Sequence, residues 1–188
     1  EYDKRFPIEK VTEEDFDKRI PVDEYGFSKY ICTKFIQQSE NIVCLRIFAL
    51  FGIGERYQHR FISNAICRNI FDLPITMRQD VYFDYFNIND FAKIVEHFIE
   101  HDAKHKTYNI GAGKRINLKT IANMINEISD KKSKIIIAKS GLNNEYTCNN
   151  ERLLSEIPGF KFTEMKDSIK ELYLWYKKNK SKIDKNIL

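Results

Sequence analysis

The sequence predicts an α/β protein, because apolar runs of strand length alternate with stretches of helical spacing along most of the chain. This alternation is typical of strands and helices that build a parallel sheet. The composition agrees with a packed globular protein, since 43% of the residues are hydrophobic and 31% are charged. A length of 188 residues suits one domain or slightly more, which can bury roughly 70% of its unfolded surface.

The first half of the chain is predicted to begin with a long loop. Residues 1–24 lack regular periodicity and hold Pro7 and Pro21 among alternating charges, and loops longer than about 15 residues are usually functional. The elements expected after this loop are a helix over 25–38, a strand over 41–48, a turn over 50–55, a helix over 60–71, and strands over 73–77 and 81–86.

The second half continues the alternation. Asn89 or Asp90 is expected to cap the next helix through a side-chain oxygen. The elements expected here are a helix over 91–101, a strand over 107–110, a helix over 118–129, a strand over 134–138, and helices over 151–157 and 166–178.

Several classes of protein are disfavoured by the residue pattern. The four cysteines form no CxxC pair, and Cys44 and Cys67 lie in apolar runs, which predicts buried thiols in a reducing cytoplasm. His97, His101 and His105 recur at steps of four without a carboxylate or thiol placed to complete a metal site, so we predict no metal. We also predict no membrane span or signal peptide, and the lysine-rich tail is better explained as a solvated helix end than as a nucleic-acid site.

The most informative motif is Tyr25-Gly26-Phe27-Ser28-Lys29. A tyrosine and a lysine four residues apart on a helix share one face. A neighbouring ammonium lowers the pKa of a phenol from its usual ~10 and readies it for proton transfer near neutrality. The spacing alone does not decide this, because it recurs at Tyr30/Lys34, Tyr173/Lys177 and Tyr176/Lys180.

Such a pair needs a redox cofactor, yet the chain holds no glycine-rich dinucleotide loop. The nearest candidate, Gly111-Ala112-Gly113-Lys114, lacks the third glycine of a dinucleotide fingerprint and the ending of a P-loop. We interpret it as a turn between a strand and a helix. The sequence therefore predicts the back half of an enzyme, whose cofactor pyrophosphate would be bound by residues outside these 188.

Four motifs in order give a resemblance to a known family. The segments starting at Tyr25, Leu45, Asp84 and Tyr108 resemble, respectively, YGxSK, LRxxNxYGPGE, RDFVYVDD and YNIGSG. This succession resembles the C-terminal part of an extended short-chain dehydrogenase/reductase, the family of NAD-dependent nucleotide-sugar epimerases, dehydratases and reductases. The resemblance covers essentially the whole chain.

The resemblance implies a fold and a division into domains. It implies the C-terminal part of a Rossmann-type parallel sheet together with a small α/β substrate-binding domain. Residues 1–52 would be the remnant of the cofactor domain that carries the YxxxK helix. Residues 53–188 would mainly form the substrate domain, with about 84–103 returning to the Rossmann part. The protein would be cytoplasmic.

The resemblance also implies site residues and a cofactor, NAD or NADP. Tyr25 would donate and accept the proton and Lys29 would hold the nicotinamide ribose, while Phe48 and nearby backbone would lie beside the nicotinamide. A serine or threonine would complete the triad upstream of Glu1, and the chain alone would be inactive.

The substrate implied is a nucleotide-activated sugar, although two family contacts are replaced. The family asparagine of LRxxN is Ala49 here, and the arginine of RDFVYVDD is Phe83. Arg60 or Arg78, or else Arg56 or Arg68, could supply the missing charge to a diphosphate.

Three reactions, epimerisation, reduction and dehydration, stay open, and so does a non-catalytic binding or regulatory role for the same fold. A homodimer through the Tyr25 helix is possible by resemblance, because Phe27, Ile31, Phe35 and Gln38 share one face, although the same residues could be core. The chain expressed alone is expected to be poorly soluble.

Overall fold

The computed structural model describes residues 1–188 and consists of six α-helices among ten short strands. The helices are α1 Glu24–Ile36, α2 Phe61–Ile70, α3 Ile88–Glu100, α4 Leu118–Ile128, α5 Glu151–Glu156 and α6 Met165–Lys178. The strands are β1 Ile8–Val11, β2 Cys44–Ile47, β3 Ala49–Phe51, β4 Ile75–Asp80, β5 Tyr82–Phe83, β6 Tyr85–Asn87, β7 Thr107–Ile110, β8 Ile116–Asn117, β9 Ile135–Leu142 and β10 Tyr146–Cys148. Short 3-10 turns lie at Glu13–Asp15, Lys180–Lys182 and Lys185–Ile187.

Parallel pairing dominates and confirms the predicted α/β class. Three two-stranded sheets are parallel, namely β2 with β7, β3 with β6 and β4 with β9. A fourth sheet has the order β1-β10-β5-β8, in which only the β5–β8 pair is antiparallel. No helix of the chain is both long enough and apolar enough to cross a bilayer.

The apolar side chains form three buried clusters. The largest packs α2, α4 and α6 together and includes the fully buried Ile66, Ile121 and Ile169. A second cluster, centred on Tyr108 and Ile110, covers β7 together with residues of α3 and α5. A small third cluster holds Tyr2, Ile8, Phe48 and Cys148. The division of the chain into a cofactor region and a substrate region stays a prediction.

The prediction of an irregular loop over residues 1–24 is wrong in one respect. The segment contains β1, which pairs in parallel with β10. Buried polar side chains hold it on the β2–β7 sheet. The Asn109 backbone N–H donates to Glu13 Oε1 at 2.6 Å, and Asn109 Nδ2 donates to the Val11 carbonyl at 3.0 Å. Arg46 Nε lies 2.7 Å from Glu1 Oε2. A strand of four residues that depends on such contacts leaves no periodic signal in the sequence.

Other corrections concern the ends of elements. The strand expected over 41–48 ends at Ile47, and part of the turn expected over 50–55 belongs to β3. Helix α3 starts three residues early, because Asn87 is its N-cap and accepts from the Asn89 N–H at 2.8 Å. Asp90 instead turns inward, where it accepts from the Thr163 backbone N–H at 2.8 Å and from its hydroxyl at 2.9 Å.

A buried carboxyl joins three segments where the sheets meet. Asp84, between β5 and β6, accepts from the Gly113 N–H at 3.2 Å and from the Cys148 thiol at 3.4 Å through Oδ2, while Oδ1 has no partner. Burial raises the pKa of Asp84 above its ordinary value, and hydrogen bonds from Cys148 and the backbone of Ala112 and Gly113 offset part of that rise. Ionisation of this carboxyl is therefore less favourable in the folded protein than in the unfolded chain.

This carboxyl should make folding stability depend on pH. A carboxyl whose pKa is higher in the folded state stabilises the fold fully below its unfolded pKa, about 4, and that contribution is lost as the pH rises through the folded pKa. The free energy of unfolding should thus fall across this window in the wild type. In Asp84→Asn, which is neutral at every pH, this part of the slope should be absent.

Urea unfolding followed by circular dichroism, at neutral pH and at about pH 4, measures the effect. Asp102→Asn removes an exposed carboxylate and serves as the matched control, which should keep the wild-type slope. A slope that is equally steep in Asp84→Asn would show that Asp84 is not its source.

Candidate functional site

The YxxxK motif lies at the start of α1, where local contacts fix the first turn. Asp23 is the N-cap, and its Oδ1 accepts from the Gly26 N–H at 2.9 Å. A Cβ on residue 26 would lie 2.6 Å from Asp23 Oδ2 and 3.0 Å from Pro21 Cβ. Glycine is therefore needed for the cap and the incoming chain to pack so closely, and these contacts set the direction in which the next side chains leave the helix.

Tyr25 and Lys29 share an open face of α1. The Lys29 Nζ lies 5.6 Å from the centre of the Tyr25 ring, within the range of a cation–π contact. Tyr25 is 67% exposed, and neither side chain makes a hydrogen bond or an ion pair. Both polar groups are thus free to meet a ligand.

The tyrosines of the other three YxxxK pairs are buried or hydrogen-bonded within the chain. Tyr30, 6% exposed, donates its hydroxyl to Asp17, which also pairs with Lys34 Nζ at 2.8 Å. Tyr173 donates to Asn69 Oδ1 at 3.1 Å, and Tyr176 is buried in the largest cluster. Exposure therefore separates Tyr25 from the three pairs that spacing alone could not exclude.

Phe48 lies in the small third cluster rather than on an open surface. Its ring centre is 4.9 Å from that of Tyr146 and 5.9 Å from that of Tyr2. Burial raises the pKa of Tyr146, and the neighbouring acidic groups Tyr2, Glu1, Cys148 and Tyr25 add to the rise. The Tyr146 ring thus packs against Phe48, one of the predicted site residues. Sequence reasoning missed Tyr146 because β10 was not expected.

The two substituted positions, Ala49 and Phe83, come together through Tyr85. Ala49 is the register partner of Tyr85 in the β3–β6 pair, and the Phe83 ring centre lies 5.5 Å from that of Tyr85. Phe83 is also the register partner of Tyr146. Aromatic side chains therefore border the position where the family motif has an arginine, and burial raises the pKa of Tyr85.

The candidate arginines do not form one cluster. Arg60 occupies the N-cap position of α2 and lies in the field of Glu55, whose pKa burial raises while Ser63 and Arg60 lower it. Arg78 is exposed on β4, in a different sheet from Phe83. Neither makes an ion pair or a side-chain hydrogen bond, whereas Arg68 donates to Asn64 Oδ1 at 3.0 Å and to the Pro74 carbonyl at 3.1 Å. Arg68 therefore stabilises the connection between α2 and β4.

The Gly111–Gly113 turn serves packing. A Cβ on residue 111 would lie 2.6 Å from Asp84 Oδ2 and 2.7 Å from Cys148 Sγ, and one on residue 113 would lie 2.8 Å from Asn150 Oδ1. Gly113 also has a positive φ of 72°, which favours glycine. These contacts explain the glycines without a phosphate and support the interpretation of a turn, which leads into β8 before α4 begins.

Arg46 and Asn109 are polar side chains that sequence reasoning left unexplained. Both lie inside apolar strands, β2 and β7, and both are almost fully buried. The Arg46 guanidinium stacks 4.3 Å from the Phe16 ring centre, and Tyr2 donates to Asn109 Oδ1 at 3.2 Å. A charged or amide side chain within an apolar strand is a signal that could have found them, because such groups are buried only with partners.

The comparison with family models decides the family. The model of the NAD dependent epimerase/dehydratase family matches residues 2–111, more than half of the 188 residues. The chain belongs to this family. The match includes Tyr25, Lys29 and the β2–β7 pair, and it confirms the resemblance found in the motifs. A search of curated protein sequences finds no significant match.

Solved structures share the fold. UDP-glucuronic acid 4-epimerase from Bacillus cereus, in complex with UDP-glucuronic acid and NAD, is 19% identical with a TM-score of 0.72, over 90% of this chain and 57% of that one. dTDP-glucose 4,6-dehydratase from Bacillus anthracis, in complex with NAD, is 15% identical with a TM-score of 0.73, over 92% and 57%. UDP-glucose 4-epimerase from Thermotoga maritima, with UDP-glucose, is 15% identical with a TM-score of 0.71, over 85% and 55%.

These likenesses show a fold in common with Rossmann-type nucleotide-sugar enzymes. The chain spans less than two thirds of each solved chain, between 55% and 57% in the three cases.

Two tyrosine substitutions should separate the open pair from a packed one. Tyr25→Phe removes an exposed hydroxyl without a partner, so the free energy of unfolding should stay within about 0.5 kcal/mol of the wild type. Tyr173→Phe leaves the buried groups of Asn69 and Ser129 without their shared partner and should cost about 1–2 kcal/mol. Urea unfolding of both variants measures the difference, and an equal loss in both would contradict the assignment of Tyr25 as free.

Proposed function

We propose that the protein containing this chain is an NAD(P)-dependent enzyme that acts on a nucleotide-activated sugar. The observation that carries the proposal is the exposed, unpartnered Tyr25–Lys29 pair, within residues that belong to the NAD dependent epimerase/dehydratase family. The names of the solved structures with this fold, which include epimerases and a dehydratase in complex with NAD, support the same class.

The donor set of this chain suits the nicotinamide end of the cofactor. Lys29 offers three N–H donors on an unpaired ammonium, which is what ribose hydroxyls accept from. The glycines at 111 and 113 are engaged by Asp84, Cys148 and Asn150, so they are not free to cradle a pyrophosphate. We therefore propose that this chain orients the nicotinamide ribose, that other residues hold the pyrophosphate, and that the 188 residues alone are inactive.

The proposed chemical role of Tyr25 is proton transfer with the sugar. When bound, the nicotinamide would take up or return a hydride at a sugar carbon. The Tyr25 oxygen would take the proton of the hydroxyl on that carbon and give it back in the reverse direction. Lys29 would hold the ribose in register through its ammonium donors. The open face of α1 leaves room for a sugar beside the phenol.

The substrate contacts proposed for this chain differ from the usual family set. Phe83 and Ala49 would present an apolar border where the motif has arginine and asparagine. Arg60 and Arg78, which have no partners, would be free to bind phosphate oxygens. We propose Arg60 as the first diphosphate contact, because it has no ion-pair partner and its charge acts on Tyr85, whose ring centre lies 5.5 Å from that of Phe83.

Epimerisation, reduction and dehydration would all use the Tyr25–Lys29 pair and the cofactor, so the identity of the product has to distinguish them.

The second candidate function is that of a non-catalytic binding or regulatory protein with the same fold. The replaced contacts Ala49 and Phe83 favour it, whereas the free Tyr25–Lys29 pair favours catalysis.

The deciding experiment uses the complete encoded protein, including any sequence encoded upstream of Glu1. Purified protein is incubated with NAD or NADP and a panel of nucleotide sugars, with cofactor absorbance and sugar products as readouts. Tyr25→Phe should lower turnover at least about 100-fold, since general acid–base catalysis contributes roughly 10²–10⁴-fold. Lys29→Met should also lower turnover and should raise the KM for the cofactor.

Tyr30→Phe, on the same helix, is the matched control and should keep its turnover. Binding of a nucleotide sugar without any product in the wild type would support the regulatory role instead. Equal turnover in Tyr25→Phe and Tyr30→Phe would refute the assignment of Tyr25 as the proton-transfer group.

We further propose that α1 forms a homodimer contact. Phe27, Ile31 and Phe35 are 46%, 49% and 73% exposed, so they are not core residues of this chain. Ile31→Glu should convert a dimer to a monomer in light scattering, because it places a charge in the apolar contact. Ile99→Glu, at an exposed isoleucine of α3, is the matched control and should leave the mass unchanged. A monomeric wild type would exclude the dimer.

A further inference from the structure

A rigid turn near the start of the chain places Lys4. Asp3 is buried, and both of its oxygens are bound by Arg5, with Nη2 at 2.7 Å from Oδ2 and the backbone N–H at 3.1 Å from Oδ1. The Phe6 N–H donates to the Asp3 carbonyl at 3.2 Å and closes the turn. On the other side, Asn144 Nδ2 donates to the Lys4 carbonyl at 3.3 Å. The Lys4 backbone is therefore held from two directions.

The Lys4 side chain reaches the same phenol as Lys29. Its Nζ lies 5.9 Å from the centre of the Tyr25 ring, compared with 5.6 Å for Lys29 Nζ. Neither ammonium forms an ion pair, and the buried carboxylate next in the chain, Asp3, is already bound by Arg5. Two cations therefore lie against one exposed ring without an anionic partner, so this surface favours an anionic ligand.

We propose that Lys4 binds a carboxylate carried by the sugar ring, next to the hydroxyl on which Tyr25 acts. This inference rests on the proposed function and names the substrate class within it, a nucleotide sugar with an acidic ring. The reacting hydroxyl has to lie at the Tyr25 oxygen, so an anion that meets Lys4 belongs to the sugar beside it. Lys29 is committed to the ribose, which leaves Lys4 as the cation for the sugar.

The energetic advantage of such a contact is large enough to measure. A charge-assisted hydrogen bond contributes about 1.5–3 kcal/mol, which corresponds to roughly tenfold or more in affinity. A neutral sugar of the same shape lacks this contact but keeps the nucleotide and the diphosphate. The ratio of the two affinities therefore isolates the carboxylate.

The experiment is isothermal titration calorimetry of the complete encoded protein, loaded with NAD, against UDP-glucuronic acid and UDP-glucose. We expect the wild type to bind the acidic sugar about ten times more tightly or better. Lys4→Gln should bring the ratio close to one, and Lys4→Arg should restore the preference. Lys10→Gln, at an exposed lysine of β1 without an ion pair, is the matched control and should keep the wild-type ratio.

Two outcomes would overturn the inference alone. A wild type without preference would exclude the carboxylate contact, and equal weakening of both sugars by Lys4→Gln would assign Lys4 to the diphosphate. Turnover of UDP-glucose in either case would leave the proposed function intact. Binding of neither sugar, with no turnover of any nucleotide sugar, would overturn both proposals.

Discussion

The structure around the site depends on a buried polar clamp between the N-terminal segment and the β2–β7 sheet. Arg46 is 4% exposed, and burying its charge costs several kcal/mol unless partners compensate it. Here the Glu1 carboxylate, the Phe16 ring and the Tyr2 hydroxyl surround the guanidinium. On the neighbouring strand, Asn109 accepts from the Tyr2 hydroxyl and donates to the Val11 carbonyl. Because both side chains extend from the β2–β7 sheet to the N-terminal segment, the segment that carries Lys4 is held in a fixed position on that sheet.

This clamp bears on how the exposed tyrosine–lysine pair of α1 is positioned. Tyr25 and Lys29 make no hydrogen bonds of their own, so their position comes from the capped first turn of α1 and from what lies beneath it. Tyr146 packs on Phe48 and is the register partner of Phe83. The group formed by Tyr2, Phe48 and Tyr146 is therefore aromatic and largely buried, whereas Tyr25 and Lys29 have no partners, an arrangement that would suit the catalytic role proposed for the pair.

The sequence predicted the elements that an apolar period or run marks. It missed the elements that form only through contacts with distant segments of the chain. The start of α1 differs by one residue from its prediction, and the strand Thr107–Ile110 was predicted with its bounds, because an apolar period or run marks each element. Strand β7 is as short as β1, but the Gly111–Gly113 turn marks its end. Strands β1 and β10 are not followed directly by such a turn, and they exist because they pair with each other. In the site, spacing found four tyrosine–lysine pairs, the YGxSK motif singled out Tyr25 among them, and burial and hydrogen bonding account for the other three.

The charge distribution around the site argues for how a substrate would be oriented. Where the family motif has an arginine, the chain has Phe83, and the adjacent Asp84 is a buried carboxyl whose pKa is raised, so this border lacks the cation of the motif. Cations without ion-pair partners remain beside Tyr25, at Lys4 and Lys29, and elsewhere at Arg60 and Arg78. Under the proposed function, a ligand with anionic groups at two ends would meet Lys4 at one end and Arg60 at the other, and the apolar border would lie against its uncharged middle. On that proposal Arg60 replaces the family arginine, and the additional cation beside Tyr25 is the physical reason to look for an acidic group on the sugar itself.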